Sequence, residues 1–319
     1  MKKHIYIYSP SGAVRDKASF QRGVRRLTQL GHEVEVDSAA LASYQRFAGD
    51  DATRVAAIHR AAASGADVAM ISRGGYGITR ILADINYKAL AKSIAKGTQF
   101  IGMSDFTALQ LALLAKTGGA TWAGPALCEG FGVSDKSDAA DGHAKPGPSG
   151  PDEIMEACFD DMVTGRGEGT GWRLLKEQDA PSDIKVKQAT LWGGNLAVLC
   201  SLVGTPYFPQ IKGGILFLED VAEHPYRIER MLTHLLHAGV LAAQKAILMG
   251  QFTNYKLVPH DKGFKLQAVV DWLRKQIKVP VLTNLPFGHV MTKVTLPVGT
   301  PVDMLVEGRD AMLLWGHTH

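Results

Sequence analysis

The sequence lacks the cysteine and histidine patterns that bind metals. Its three cysteines, Cys128, Cys158 and Cys200, are an odd number and lie far apart. This spacing argues against a disulfide framework and a zinc knuckle, and favours a reducing compartment. His234 and His237 lie three residues apart on a predicted helix, and HTH ends the chain, but neither matches a known metal-binding spacing. We therefore predict no metal site.

The sequence also lacks a strong charge excess and a long hydrophobic run. The formal net charge is only +4, which suits a small anionic substrate but gives no support to nucleic-acid binding. No segment approaches the roughly 18 apolar residues that a membrane span needs. The opening MKKHIYIYSPSG has an apolar stretch far shorter than a signal-peptide core, and we interpret it as a first strand. We expect a cytoplasmic protein without a membrane partner.

The first third of the chain alternates between strand-like and helix-like segments. HIYIYS, HEVEVD, DVAMIS and TQFIG are typical of strands, and amphipathic helical segments separate them. Strands and helices that alternate with short connections predict a parallel sheet covered by helices on both faces. Such sheets bind ligands at the carboxyl ends of their strands, where the sequences RGGYG and GMSD both lie.

The alternation stops in the middle of the chain. Ser134 to Glu153 is rich in glycine, proline and aspartate, which predicts a flexible insertion or linker. From Trp172 the chain consists mainly of strand-like segments, interrupted by two helical ones. We therefore predict an N-terminal α/β domain over residues 1–150, a linker over 151–170, and a smaller, β-rich mixed domain over 171–319.

Ser104 lies in GMSD, between an apolar strand and a predicted helix. A sharp strand-to-helix turn would expose its hydroxyl, and the helix N-terminus would favour a developing oxyanion, with the N–H of Asp105 as a donor. The turn is similar to the nucleophile elbow G-x-S-x-G, although that motif ends in glycine. Alternatively, Ser104 or Asp105 only caps the helix. The residues alone leave both interpretations open.

The loop RGGYG offers candidate substrate contacts. Its paired glycines allow close approach of a ligand, so Gly74 or Gly75 could give a second oxyanion N–H. Arg73 and Arg80 could bind a carboxylate of the substrate. Gly74 and Tyr76 are the other two candidate substrate-binding residues in and beside this loop. The alternative is a tight turn with solvated arginines.

A serine nucleophile needs a base and an acid that orients it. Among eleven histidines, His289 is best placed, because it lies in a Pro-Gly loop between predicted strands. Glu219 and Asp220 end a predicted buried strand directly before a helix, where they could be functional or could only cap that helix. Asn195, in WGGNL, could contact substrate or could only turn the chain.

Several segments together resemble one family. FAGDDATR, RGGYGITRIL, IGMSDFTAL, AGPAL, WGGNLAVLCSLVGTP, ILFLEDVAEHPYRIERML and FGHV occur in the order found in the LD-carboxypeptidases, the muramoyltetrapeptide carboxypeptidases and their relatives. The resemblance covers nearly the whole chain. It implies a flavodoxin-like N-terminal domain, a smaller β-rich C-terminal domain, and an active site in the cleft between them.

The resemblance also implies a Ser-Glu-His triad without a cofactor. By motif, the nucleophile is Ser104, the acid Glu219 and the base His289, and the oxyanion donors are the N–H groups of Gly75 and Asp105. The implied reaction cleaves the L,D bond of a murein tetrapeptide and releases D-alanine during cytoplasmic recycling, by a homodimer.

Two departures from the family pattern accompany this resemblance. Met103 stands where an aromatic residue usually precedes the serine, which predicts altered packing with retained chemistry. The segment around HAKPGPSG is longer than expected. A sibling branch, the microcin C immunity proteins, hydrolyses a peptide-nucleotide antibiotic, but RGGYG favours the peptidoglycan branch. The rival from another class is a non-catalytic peptide-binding module.

Overall fold

The computed structural model describes residues 2–134, 150–175 and 184–316. These ranges contain strands β1 (His4–Tyr8), β2 (Glu33–Val36), β3 (Val68–Ile71), β4 (Gln99–Gly102), β5 (Thr121–Ala123), β6 (Gly169–Arg173), β7 (Ile184–Asn195), β8 (Ile215–Val221), β9 (Ala246–Thr253), β10 (Val281–Leu282), β11 (Leu296–Val298), β12 (Thr300–Glu307) and β13 (Asp310–Leu314). The helices are α1 (Lys17–Gln29), α2 (Asp51–Ala63), α3 (Ile78–Ile81), α4 (Tyr87–Ala95), α5 (Thr107–Thr117), α6 (Glu153–Thr164), α7 (Leu196–Leu202), α8 (Pro225–His237) and α9 (Leu266–Gln276). No helix in the described ranges is long and apolar enough to cross a membrane.

The first sheet has the predicted parallel organisation. Its strands follow the order β2-β1-β3-β4-β5, all parallel, which is the flavodoxin-like arrangement. β11 then adds an antiparallel edge next to β5, with Leu296 opposite Ala123. A strand from late in the sequence therefore completes the sheet that the first third of the chain builds.

The second sheet is mixed, as predicted for the C-terminal domain. Its strand order is β10-β9-β8-β7-β12-β13-β6. Strands β7 to β10 are parallel, and β12, β13 and β6 continue the sheet antiparallel. The α/β fold class with two sheets is confirmed, and the chain closely matches a solved two-domain structure.

Helix α5 lies where the two parts of the chain meet. Eight of its eleven residues, from Thr107 to Leu114, are buried, and it packs against α4, α7 and β7. The helix ends at Gly118, whose φ of +69° suits a glycine at this position. Burial on so many sides fixes the start of α5, directly after Ser104, against the second sheet.

The predicted linker contains an ordered element. The region 151–170 includes α6, and its Met155 and Phe159 pack in one buried cluster with Phe131. The boundaries at 150 and 170 stay a prediction. Most of the glycine- and proline-rich segment from Ser134 to Glu153, and the HTH at the end of the chain, lie outside the described residues.

Candidate active site

Ser104 occupies a strained turn between strand and helix. β4 ends at Gly102, and a 3₁₀ turn over Ser104–Phe106 leads into α5. The φ angle of Ser104 is +63°, a value that residues other than glycine rarely adopt and that clusters at functional sites. Neither Ser104 nor Asp105 is the N-cap residue of α5, where Phe106 stands without a side-chain cap bond. The capping interpretation of Ser104 is therefore wrong.

Gly74 of the RGGYG loop lies directly over this serine. A Cβ added to Gly74 would lie 2.7 Å from Ser104 Cβ and 2.8 Å from its Oγ. These separations are far below ordinary contact between heavy atoms. Only glycine fits at position 74 without movement. The group that the glycine-rich loop approaches closely is therefore the side chain of the candidate nucleophile.

The side chain of Asp105 holds the glycine-rich loop in place. Asp105 is buried, and its carboxylate accepts hydrogen bonds from Ser11 Oγ at 2.5 Å and from the N–H of Ile78 at 2.9 Å. Burial raises the pKa of Asp105, and these two hydrogen bonds oppose that rise. The residue after the candidate nucleophile thus links the serine turn to the loop, a role that the sequence analysis missed.

Two backbone N–H groups near Ser104 are available to an oxyanion. Among the described residues, neither Gly75 nor Asp105 donates its backbone N–H to a hydrogen bond. Gly75 has a φ of +121° and is exposed, and Asp105 lies in the first turn after β4. Free N–H groups at a helix start are the usual donors to a developing negative charge.

Glu219 and His289 form an acid–imidazole pair in which the acid is buried and the histidine is half-buried. His289 Nδ1 lies 2.8 Å from Glu219 Oε2, and Glu219, on β8, is fully buried. The strand and loop behind this pair pack without space for a methyl group, because a Cβ on Gly250 would lie 2.5 Å from the carbonyl oxygen of Phe287, and one on Gly288 would lie 2.8 Å from that of Gln251. No hydrogen bond joins the hydroxyl of Ser104 to His289 within the described part of the chain. Catalytic contacts of this kind often tighten only when substrate binds.

The charge of Glu219 controls the protonation of His289. Burial by itself lowers the pKa of His289, but the hydrogen bond and negative charge of Glu219 outweigh burial, and Glu129 adds to them. The positive charge of Lys293 acts in the opposite direction. The net effect raises the pKa of His289 above its ordinary value. With Nδ1 held by Glu219, Nε2 is the nitrogen left to exchange a proton with substrate.

Asn195 connects the acid to the helix that follows the serine. Its Nδ2 donates to Glu219 Oε1 at 3.2 Å and to Asp220 Oδ1 at 3.0 Å, while its backbone N–H donates to Thr107 Oγ1 at 3.0 Å. Thr107 is the first residue of α5. Asn195 is only 4% exposed, so the structure places it behind Glu219 as an orienting residue and not on open surface.

Asp220 is a second buried carboxylate in this network. It accepts hydrogen bonds from the N–H groups of Ala197 and Val221 at 2.9 and 2.8 Å, besides that from Asn195. Burial raises the pKa of Asp220 to about 6, and the neighbouring charge of Glu219 contributes to the rise. The two acidic residues at the end of β8 therefore have different partners: Glu219 contacts the histidine, and Asp220 accepts hydrogen bonds from backbone N–H groups.

The remaining predicted contacts lie around the glycine-rich loop. Arg73 Nη1 donates to the carbonyl of Ala13 at 3.1 Å, and its Nε lies 3.6 Å from Glu129. Arg80 donates to Asp51 at 2.7 Å. Both arginines therefore already have partners.

Tyr76 is the exposed aromatic residue of this loop. It is 48% exposed, and its ring lies 6.0 Å from that of Phe47. The described residues contain no group of three side chains suited to hold a metal ion.

The sequence of each half matches a known domain. Residues 5–124 match the LD-carboxypeptidase N-terminal domain, and residues 188–304 match the LD-carboxypeptidase C-terminal domain. The chain belongs to the LD-carboxypeptidase family. The resemblance inferred from the sequence motifs is thereby confirmed, and membership supports hydrolase activity of the serine carboxypeptidase class.

Individual LD-carboxypeptidase relatives cover most of the chain. A protein of Bacillus subtilis named "Probable murein peptide carboxypeptidase" is 28% identical over 90% of this chain and 84% of its own length. The crystal structure of muramoyltetrapeptide carboxypeptidase from Oxalobacter formigenes is 37% identical, covers 98% of both chains and has a TM-score of 0.83. The microcin C7 self immunity protein MccF, at 20% identity and a TM-score of 0.81 over 99% and 97% of the two chains, shares the fold.

Proposed function

We propose that this protein is a serine carboxypeptidase that cleaves the L,D bond of murein tetrapeptides and releases the terminal D-alanine. The observation that carries the proposal is the 2.8 Å contact between Glu219 and His289, together with the strained turn of Ser104. An acid, a base and an exposed hydroxyl are the groups that acyl transfer requires. The named relatives point to the same substrate class.

In the proposed first step, Ser104 Oγ attacks the carbonyl carbon of the L-centre of the diamino acid. His289 Nε2 takes the hydroxyl proton, and Glu219 stabilises the imidazolium through Nδ1. The negative charge on the carbonyl oxygen is stabilised by the N–H groups of Gly75 and Asp105. Collapse of this intermediate breaks the C–N bond, and His289 donates the proton to the leaving amine of D-alanine.

The second step releases the acyl group. Water loses a proton to His289 and attacks the ester carbonyl of Ser104, and the same N–H groups stabilise the second intermediate. Cleavage of the ester C–O bond releases the shortened peptide as its carboxylic acid, and His289 donates the proton it took from water to Ser104 Oγ, which restores the serine hydroxyl. Besides the substrate and water, only side chains and backbone groups of this chain take part in the proposed sequence.

The proposed physiological setting is the recycling of murein peptides in the cytoplasm, by a homodimer. The murein peptide relatives support the substrate class. Light scattering on the purified protein, and fractionation of its native cells, would test the oligomeric state and the location.

Three peptides test the proposed function. We expect cleavage of the tetrapeptide with release of free D-alanine, little cleavage of the D-alanyl-D-alanine bond of the pentapeptide, and none of the tetrapeptide amide. A site shaped for an L-centre misplaces a D-centre, and a 1 Å error can cost about 100-fold. Equal rates on all three would show a peptidase with another substrate.

Binding of the tetrapeptide without any D-alanine release would instead favour the binding-module alternative. A microcin-type peptide-nucleotide substrate cleaved faster than the tetrapeptide would favour the immunity branch.

A further inference from the structure

Lys293 is a buried lysine without a counter-ion. The residue is only 3% exposed, and among the described residues its ammonium forms no hydrogen bond and no ion pair. Its Nζ is nevertheless not one of the fully enclosed atoms that lack a partner, so it keeps access to open space. Burying a charge without a partner is costly, and proteins rarely retain one without a use.

Lys293 shares a short loop with His289, and this loop is closed by the hydrogen bond that the N–H of Val294 donates to the carbonyl of Pro286 at 2.9 Å. Glu219 and Glu129 act on both His289 and Lys293, and Lys293 itself acts on His289, four residues earlier in the chain. Burial lowers the pKa of Lys293, and Glu129, Glu219 and Asp152 partly offset that effect. None of these carboxylates is within 4 Å of its nitrogen, because Lys293 has no ion pair in the described ranges.

The two arginines proposed from the sequence are already occupied. Arg73 donates to a backbone carbonyl and lies near Glu129, and Arg80 donates to Asp51. An anionic substrate group would have to displace those partners. Lys293 has no such partner to displace within the described residues, so a carboxylate would supply the missing counter-charge.

We infer that Lys293 binds a carboxylate of the substrate and thereby contributes to substrate specificity. The inference rests on the proposed function. Two carboxylates on the residues that flank the scissile bond of a diaminopimelate tetrapeptide have the required chemistry: the terminal carboxylate of D-alanine, and the carboxylate on the D-centre of diaminopimelate. The ammonium is a compact charge with three donors, which suits either group.

Three peptide substrates distinguish which of these two carboxylates Lys293 binds. They are the diaminopimelate tetrapeptide, its C-terminal amide, and the lysine tetrapeptide, which lacks the D-centre carboxylate. On the first, Lys293→Met should lose about 10- to 100-fold in kcat/KM, mainly through KM, because a charge-assisted hydrogen bond is removed. On the peptide that lacks the carboxylate held by Lys293, the variant should differ little from wild type. Because we expect no cleavage of the amide, that peptide is compared by its inhibition constant against cleavage of the diaminopimelate tetrapeptide. Lys293→Arg keeps the charge and should retain most of the activity on the full substrate.

The matched control is Lys275→Met, an exposed lysine of α9, which should change no rate. Lys293→Met replaces an unpaired ammonium by an apolar chain of similar length, so its melting temperature should equal or exceed that of wild type. Lys293→Gln serves as a second neutral variant. An equal loss on all three peptides, or no loss on any, would overturn the inference alone. A wild-type protein that cleaves none of them would overturn the proposed function and the inference with it.

Discussion

A methyl group on Gly74 should block the candidate nucleophile. In Gly74→Ala the new Cβ would lie 2.7 Å from Ser104 Cβ and 2.8 Å from its Oγ. Ordinary contact between carbon atoms begins near 3.5 Å, so the serine turn or the loop must move by about 1 Å. A displacement of about 1 Å at reacting groups can cost on the order of 100-fold in rate. The movement that removes this overlap should also lower the free energy of unfolding by about 1–3 kcal/mol.

The assay is kcat/KM for release of D-alanine, with thermal unfolding measured on the same samples. Gly171→Ala is the matched control, because a Cβ there meets its nearest neighbour at an ordinary 3.6 Å and neither glycine has a positive φ. We expect the control to keep wild-type activity while Gly74→Ala loses about two orders of magnitude. Wild-type turnover in Gly74→Ala would refute the view that the loop and Ser104 form one catalytic unit.

Three further predictions concern the acid, the base and their support. Ser104→Ala, Glu219→Ala and His289→Ala should each fold yet lose several orders of magnitude in turnover, because such residues act as a unit; near-normal kcat in any of them would exclude it from the triad. The pKa of His289 is raised and the base must be neutral, so kcat/KM should increase with pH through a region above the ordinary value of about 6.5. In Glu219→Gln, the charge of Glu219 no longer opposes the effect of burial on the pKa of His289, so the residual pH profile should shift to lower pH, and an unshifted profile would contradict the assignment. Asn195→Ala leaves Glu219 Oε1 without its donor and removes one of the donors to Asp220 Oδ1, and it should lower the free energy of unfolding by about 1–3 kcal/mol and reduce kcat, as measured by thermal melts and kinetics.

The alternation of strands and helices in the first third was enough to predict the parallel sheet. Hydrophobic periodicity also predicted the mixed second sheet, because half-buried strands repeat every two residues. The helix α4 was missed although Asn86 caps it with a hydrogen bond to the N–H of Ala89, a signal that the sequence carries. β11 lies in the part of the chain for which mainly strand-like segments are predicted, but its place in the first sheet depends on pairing with β5 far away in sequence.

In the candidate site too, local sequence patterns predict individual features but not the contacts between segments that are distant in sequence. The strand-to-helix turn of Ser104 and the loop carrying Gly74 were visible as local patterns, and their contact was not. The partners of Arg73 and Arg80 were also invisible, because the acceptors Ala13 and Asp51 lie in other segments. Sequence patterns indicate which side chains have the right chemistry, but only tertiary packing decides which of them remain free to bind a ligand.

The register of the second sheet explains how distant residues can be aligned with the serine. Asn195 and Glu219 are paired neighbours on β7 and β8, so their relative position is fixed by the backbone. Asn195 also bonds Thr107, at the start of the largely buried helix α5, and a Cβ on the preceding Gly194 would lie 2.5 Å from Thr107 Oγ1. Because strand and helix meet without space for a methyl group, the acid cannot shift along β8 without disturbing the helix that begins after the nucleophile. The geometry between Ser104 and Glu219 is therefore maintained by packing across the two sheets, and not by any direct bond between them.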